Sequence, residues 1–168
     1  MRRLAPAAVV TAALITGCGV FMSEVDQVRD PLTPDEARAQ VIATARELKT
    51  LLGIPVLGAL AGLSSCNDQG EAPFRGRGAV HYPLARSREE ALTETVGFLK
   101  TLEGAGWTIL PPDYKGGQSV SAERNGVRVI FEVQGGGNQA RGITVLGQCR
   151  DVTTTKATQG KMEPIPGL

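Results

Sequence analysis

Few residues in this chain could do chemistry. Its 168 residues include one histidine, His81, and three cysteines, Cys18, Cys66 and Cys149. A single imidazole rules out a multi-histidine metal site. It also leaves His81 as the only imidazole base for a serine or thiol nucleophile. Ser64 and Ser65 have no base placed beside them by the sequence. There is no G-x-S-x-G elbow, no H-E-x-x-H and no Gly-rich loop ending in Lys-Ser/Thr. The run GGGNQARG from Gly135 to Gly142 lacks the lysine and the following helix that a phosphate cradle needs. Glu89, Glu90 and Glu94 fall in the first turns of a helix, where carboxylates complement the macrodipole. The reading is therefore non-enzymatic, with no cofactor and no metal.

Charge narrows the partners. Lys+Arg is 18 against Asp+Glu 17, a net charge of +1. Such a balance gives nucleic acid no bulk electrostatic hold. Phe74-Arg75-Gly76-Arg77-Gly78 has the look of one RGG copy, and reads as part of a solvated loop.

Cys18 has a specific setting. Arg2 and Arg3 form a positive n-region, and Leu4 to Ile15 is apolar or small apart from Thr11. This is the layout of a secretory signal, too short to span a bilayer as a helix. Ile15-Thr16-Gly17-Cys18 then resembles the bacterial lipobox, in which a small residue precedes the cysteine that is diacylated and becomes the new N-terminus. Two acyl chains, palmitate among them, anchor stably where one is marginal. Removing residues 1–17 takes two arginines and no acid, which leaves a net charge of −1. Lipid rather than charge would hold such a protein, through export, to the outer face of the cell membrane.

With Cys18 acylated, Cys66 and Cys149 remain. An even pair in an exported chain reads as a disulfide. The competing reading, a thiol nucleophile paired with His81, requires a cysteine to stay reduced in an oxidising compartment.

The elements follow from local signals. Residues 18–32 read as the lipidated cysteine and a polar tether. Thr33-Pro34-Asp35-Glu36 predicts a helix start with a capping box. Ala37, Val41, Ala45, Leu48 and Leu52 then form one apolar stripe, and Gly53 and Pro55 end the helix. The uncharged run 51–63 reads as a buried connection, or else as a flap over an apolar ligand. Residues 66–78 read as a polar loop. Val80, Tyr82 and Leu84 predict a strand over 78–84, with Pro83 near its end and His81 on the wetter face. Ser87 and Glu90 open a second helix whose stripe is Leu92, Val96, Leu99 and Leu102, with Ala91, Phe98 and Ala105 alongside. Trp107 to Leu110 is a short strand with Trp107 in the core. Asn125-Gly126 joins strands over 119–123 and 127–133 as a hairpin. Ile143, Val145, Gly147 and Cys149 alternate on a last strand. Residues 152–168 read as a disordered tail.

This order predicts an α+β domain over residues 33–151. It would be a two-layer sandwich, with two helices on one face of a mainly antiparallel four- to five-stranded sheet. The lipobox, the charged first helix, the upstream Cys66 and the ending Ile143-x-x-x-Gly147-x-Cys149 together resemble the small actinobacterial LppA-like envelope lipoproteins. That resemblance implies roles only for Cys18, Cys66 and Cys149, and brings no catalytic residue.

The sheet face that the helices leave uncovered would carry Leu110, Ile130 and Leu146, with Arg128 beside them. Apolar residues on a polar sheet face form a candidate docking patch. The expected partner is the membrane through the anchor, together with an envelope protein or lipid. The alternative function is carriage of a lipid or other apolar small molecule, resting on segment 51–63.

Overall fold

A computed structural model describes residues 25–111, 119–133 and 139–168. Cys18 and the signal segment lie outside these residues, as do 134–138 of the glycine-rich run. Two helices, α1 (Pro34–Leu52) and α2 (Arg88–Gly104), cover one face of a sheet. The strands are β1 (Gly58–Ser65), β2 (Phe74–Pro83), β3 (Thr108–Leu110), β4 (Ser119–Arg124), β5 (Val127–Glu132), β6 (Ala140–Leu146) and β7 (Glu163–Pro164). Every pairing is antiparallel, in the order β3-β4-β5-β6-β2-β1-β7. The α+β two-layer architecture is thus as expected. The sheet has seven strands rather than four or five, because β1 and β7 come from segments read as connection and tail.

Local chemistry sets the helix ends. Thr33 Oγ1 accepts from the Glu36 amide at 3.2 Å, and the Thr33 amide donates to the Glu36 carboxylate at 2.8 Å. Both halves of the capping box are therefore present. Gly53 closes α1 in the left-handed region at φ 63°, where a glycine carries no Cβ penalty. At α2, Ser87 caps the Glu90 amide at 3.1 Å. The Glu90 carboxylate reaches back to the Arg86 amide instead, at 2.6 Å.

The core lies between the layers. Val41, Ala45 and Leu48 of α1 meet Val80, Tyr82, Ile143 and Val145, all fully or almost fully buried. Phe98 of α2 packs edge-on against Tyr82 and tilted against Phe131. Trp107 is a core residue, 3% exposed. The face of α2 differs from expectation. Ala91, Thr95, Phe98 and Leu102 are buried, while Leu92 and Val96 are 44% and 51% exposed. The two candidate stripes interleave on the helix, and Phe98 decides between them because its ring fills the gap over Tyr82 and Phe131.

Glycine hides a strand in the polar stretch. Only 66–73 is loop, and 74–83 is β2, in the interior of the sheet. A Cβ on Gly76 would lie 2.0 Å from the Ala37 carbonyl oxygen, and one on Gly78 would lie 3.3 Å from Val145. Helix α1 crosses β2 so closely that side chains are excluded there. The same crossing explains β1, whose Ala59 and Ala61 are small and buried.

The C-terminal segment is ordered, which corrects the expectation of a disordered tail. Asp151 bridges Phe74 through both backbone bonds, at 2.6 and 3.0 Å. Strand β7 pairs with β1, and Ile165 enters the core at 4% exposure. Polar composition concealed this, because backbone pairing and one buried isoleucine suffice to hold the segment. The preceding tether is also docked at its end. The Leu32 amide donates to the Arg150 carbonyl at 2.9 Å, and the Arg150 guanidinium donates to the Asp30 carbonyl.

Candidate functional site

Cys66 and Cys149 are bonded to one another, with Cα atoms 6.0 Å apart. Cys66 follows β1 directly. Cys149 lies three residues past the end of β6, not on a strand as the alternation implied. The strand stops earlier because the chain turns there, with the Gly147 amide donating to the Gly76 carbonyl at 2.9 Å. The bridge ties the end of β1 to the end of β6 on either side of β2. Neither sulfur is a thiol available to His81.

His81 is exposed on the uncovered sheet face, as its alternation predicts. It shares a shallow hollow of about 470 Å³ with Arg77, Glu132 and Thr144, floored by Gly58, Ala79 and Gly142. A Cβ on Gly142 would meet the Glu132 carboxylate at 3.1 Å, so the acid leans across that glycine. Ser65 is tied into the loop after β1, where its hydroxyl lies 2.6 Å from the Glu71 carbonyl. Glu90 and Glu94, read as helix-start acids, each take an arginine. Glu90 pairs with Arg86 at 2.8 Å, and Glu94 pairs with Arg141 of β6.

The register assembles the candidate docking patch. Leu110, Ser121, Ile130, Thr144, Ala79 and Leu60 are successive cross-strand partners, all on the side away from the helices and all half-buried. They form one row across six strands. Arg128, Leu146 and Arg77 form part of the adjacent row. Leu110, Ile130, Leu146 and Arg128 therefore share a face, with Ile130 diagonal to Leu146 and Leu110 two strands from Ile130. Cross-strand neighbours of this kind are within reach of one another's side chains.

Segment 51–63 is neither a connection nor a flap. It contains the end of α1 and most of β1, with Ile54, Ala59, Ala61 and Leu63 buried in the core. Its lack of charge reflects burial against α1.

Sequence reasoning missed the charges on the open face. Arg75 and Arg77 are strand residues that alternate with Phe74, Gly76 and Gly78. The signal was present, since the alternation of Val80 and Tyr82 extends back to Phe74 if glycine is allowed on the inner side. Arg141 was also missed. It is 3% exposed, and its guanidinium stacks 4.5 Å over the Tyr82 ring and donates to the Pro83 carbonyl at 3.1 Å. Burial pushes the Tyr82 phenol up to about 12, with the Arg141 charge opposing it. Among the described residues no group of three or more metal-ligating side chains comes together.

A protein-family profile described as "Putative lipoprotein LppJ" matches residues 33–167. Relatives of that name occur in Mycobacterium bovis, 26% identical over 98% of this chain and 94% of theirs, and in Mycobacterium tuberculosis, 25% identical over the same shares. No solved structure matches the chain. The actinobacterial lipoprotein resemblance holds at that level, with a different family in place of the LppA-like group. A frame of cysteines and alternating strands is too general to separate the two.

Proposed function

The chain belongs to the LppJ lipoprotein family, and from that premise we propose that it is a non-enzymatic docking module of the cell envelope. Cys18 carries the lipid and holds the domain at the outer face of the cell membrane. The open face of the sheet meets another envelope component. The observation that carries this reading is the cross-strand row from Leu110 to Leu60, which lays apolar and small side chains across six strands on the face that no helix of the described residues covers. Burying such a row against a partner gains about 25 cal/mol per Å² of apolar area. The charged and polar residues of the rows on either side can fix orientation.

The test is cross-linking in the envelope followed by affinity capture, with Ile130→Asp and Leu146→Asp compared with the unaltered chain. Both side chains are half-buried on the open face, so the thermal melt should stay within a few degrees. Loss of the captured component with an unchanged melt is the expected result. Capture undiminished in both variants would remove the open face as the docking surface.

A further inference from the structure

Docking by apolar contact leaves the charge on the same face unexplained. Arg75 and Arg77 leave β2 on the side away from the helices, and Arg128 leaves β5 on that side. The register places Leu146 between Arg128 and Arg77. The two arginines stand two strand spacings apart, about 10 Å, and Arg75 lies about 7 Å further along β2. These backbone separations are close to the Debye length of about 8 Å at physiological ionic strength, so salt screens the repulsion only in part.

Among the described residues, one acid offsets part of that repulsion. Glu123 pairs with Arg128 at 3.2 Å, on the side away from Arg77. Glu132 stands across the hollow, over Gly142. Arg75 and Arg77 form no ion pair among the described residues. The Arg75 Nε is buried and has no hydrogen-bond partner among the described residues. Burial, and after it the charges of Arg128 and Arg77, hold the Arg75 guanidinium below its ordinary value. Like charge on the unpaired Arg75 and Arg77, and the buried Arg75 donor, are both unfavourable in the free protein. A bound oxyanion relieves the like charge, since the planar fork of arginine matches phosphate in geometry as well as charge. Space beside Arg77 lies along β2, toward the small Ala79, because across β1 the outer side of Gly62 is filled by Met162.

We propose that Arg75, Arg77 and Arg128, grouped around Leu146 on the open sheet face, form an oxyanion site that takes a phosphate group. A lipid headgroup and free phosphate present the same chemistry to these side chains, and two measurements separate them. The full chain, purified in a non-ionic detergent, is titrated calorimetrically with inorganic phosphate at low ionic strength. It is then floated with phosphatidylcholine vesicles made with and without phosphatidic acid, so that any anchoring through Cys18 contributes equally to both. Each measurement is repeated with Arg75→Gln, Arg77→Gln and Arg88→Gln. Arg88 is an exposed residue at the start of α2, in the opposite layer, and its variant matches the change in net charge.

Saturable binding that falls about tenfold or more in Arg75→Gln and Arg77→Gln, and holds in Arg88→Gln, is expected for loss of a charge-assisted hydrogen bond. Seen with phosphate alone, it identifies a free anion, and seen only as enrichment on phosphatidic acid vesicles, it identifies a headgroup. Equal weakening in all three variants would reduce the effect to net charge and overturn the site, as would absence of binding in both measurements. The envelope capture experiment with Ile130→Asp and Leu146→Asp is read separately, so either idea can fail without the other.

Discussion

At the scale of single residues, Asp151 shows how a buried charge is held. It is fully buried, and its carboxylate accepts from the Thr153 amide at 2.9 Å, the Thr153 hydroxyl at 2.8 Å, the Thr154 amide at 3.0 Å and the Thr154 hydroxyl. Burial pushes the acid upward, but the donors of Thr154 and Thr153 outweigh it and hold the group below its ordinary value. A carboxyl that is more acidic folded than unfolded adds stability above its unfolded value. That contribution is lost as pH falls through the folded value. Asp151→Asn should therefore be less stable than the unaltered chain by about 1–3 kcal/mol at neutral pH. The gap should close below about pH 4. Urea unfolding midpoints over a pH series measure this, and a gap that stays constant into acid would contradict it. The sequence named none of this, because an aspartate before three threonines looks the same in a free tail as in a buried turn.

At the scale of elements, the crossing of α1 over β2 is the tightest constraint in the domain. Gly76 sits beneath the Ala37 carbonyl, where a Cβ would approach to 2.0 Å. The obstacle is backbone, so it cannot rotate away. Gly76→Ala should displace α1 and cost about 3 kcal/mol, at the upper end for overpacking. Gly58→Ala, at the edge of the same layer with nothing within 4 Å of its Cβ, should be nearly neutral. Paired chemical denaturation curves decide it, and equal stability of the two variants would mean that the helix yields. The helices themselves were legible, since caps and stops act over three or four residues. Strand β1 and the first half of β2 were not. Ala59, Ala61, Gly76 and Gly78 on their inner side are residues that patterning counts as loop, and only the helix above them makes small side chains the right ones.

At the scale of the whole molecule, the C-terminal segment and the disulfide close the domain. Strand β7 covers the edge of β1, and Ile165 fills the core beside it. An uncovered strand edge invites pairing with another chain. Deleting residues 152–168 should lower the melting temperature and bring concentration-dependent aggregation. Ile165→Ala alone should cost about 2–5 kcal/mol, as a truncated core isoleucine does. Light scattering during thermal melts at two concentrations tests the deletion, and a melt identical to that of the full chain would show that the segment contributes nothing. The Cys66–Cys149 bridge spans 83 residues. It encloses β2 through β6, so it constrains the ends of the same sheet that β7 edges.

What the sequence determined by itself was whatever depends on neighbours along the chain. That includes both helix starts and the left-handed stop at Gly53. It includes the Asn125-Gly126 hairpin and the alternation of Val127, Val129 and Phe131. It also includes the outward side of Leu110, Arg128, Ile130 and Leu146, because side-chain direction in a strand has period two. The tertiary structure decided what depends on partners distant in sequence. It chose which stripe of α2 is buried, made strands of two glycine-rich segments, and drew 152–168 into the sheet. It also set Arg75 and Arg77 beside Arg128 across β6. The separation between those arginines is a property of strand register, and register is set by pairing across the whole sheet rather than by the residues on either side.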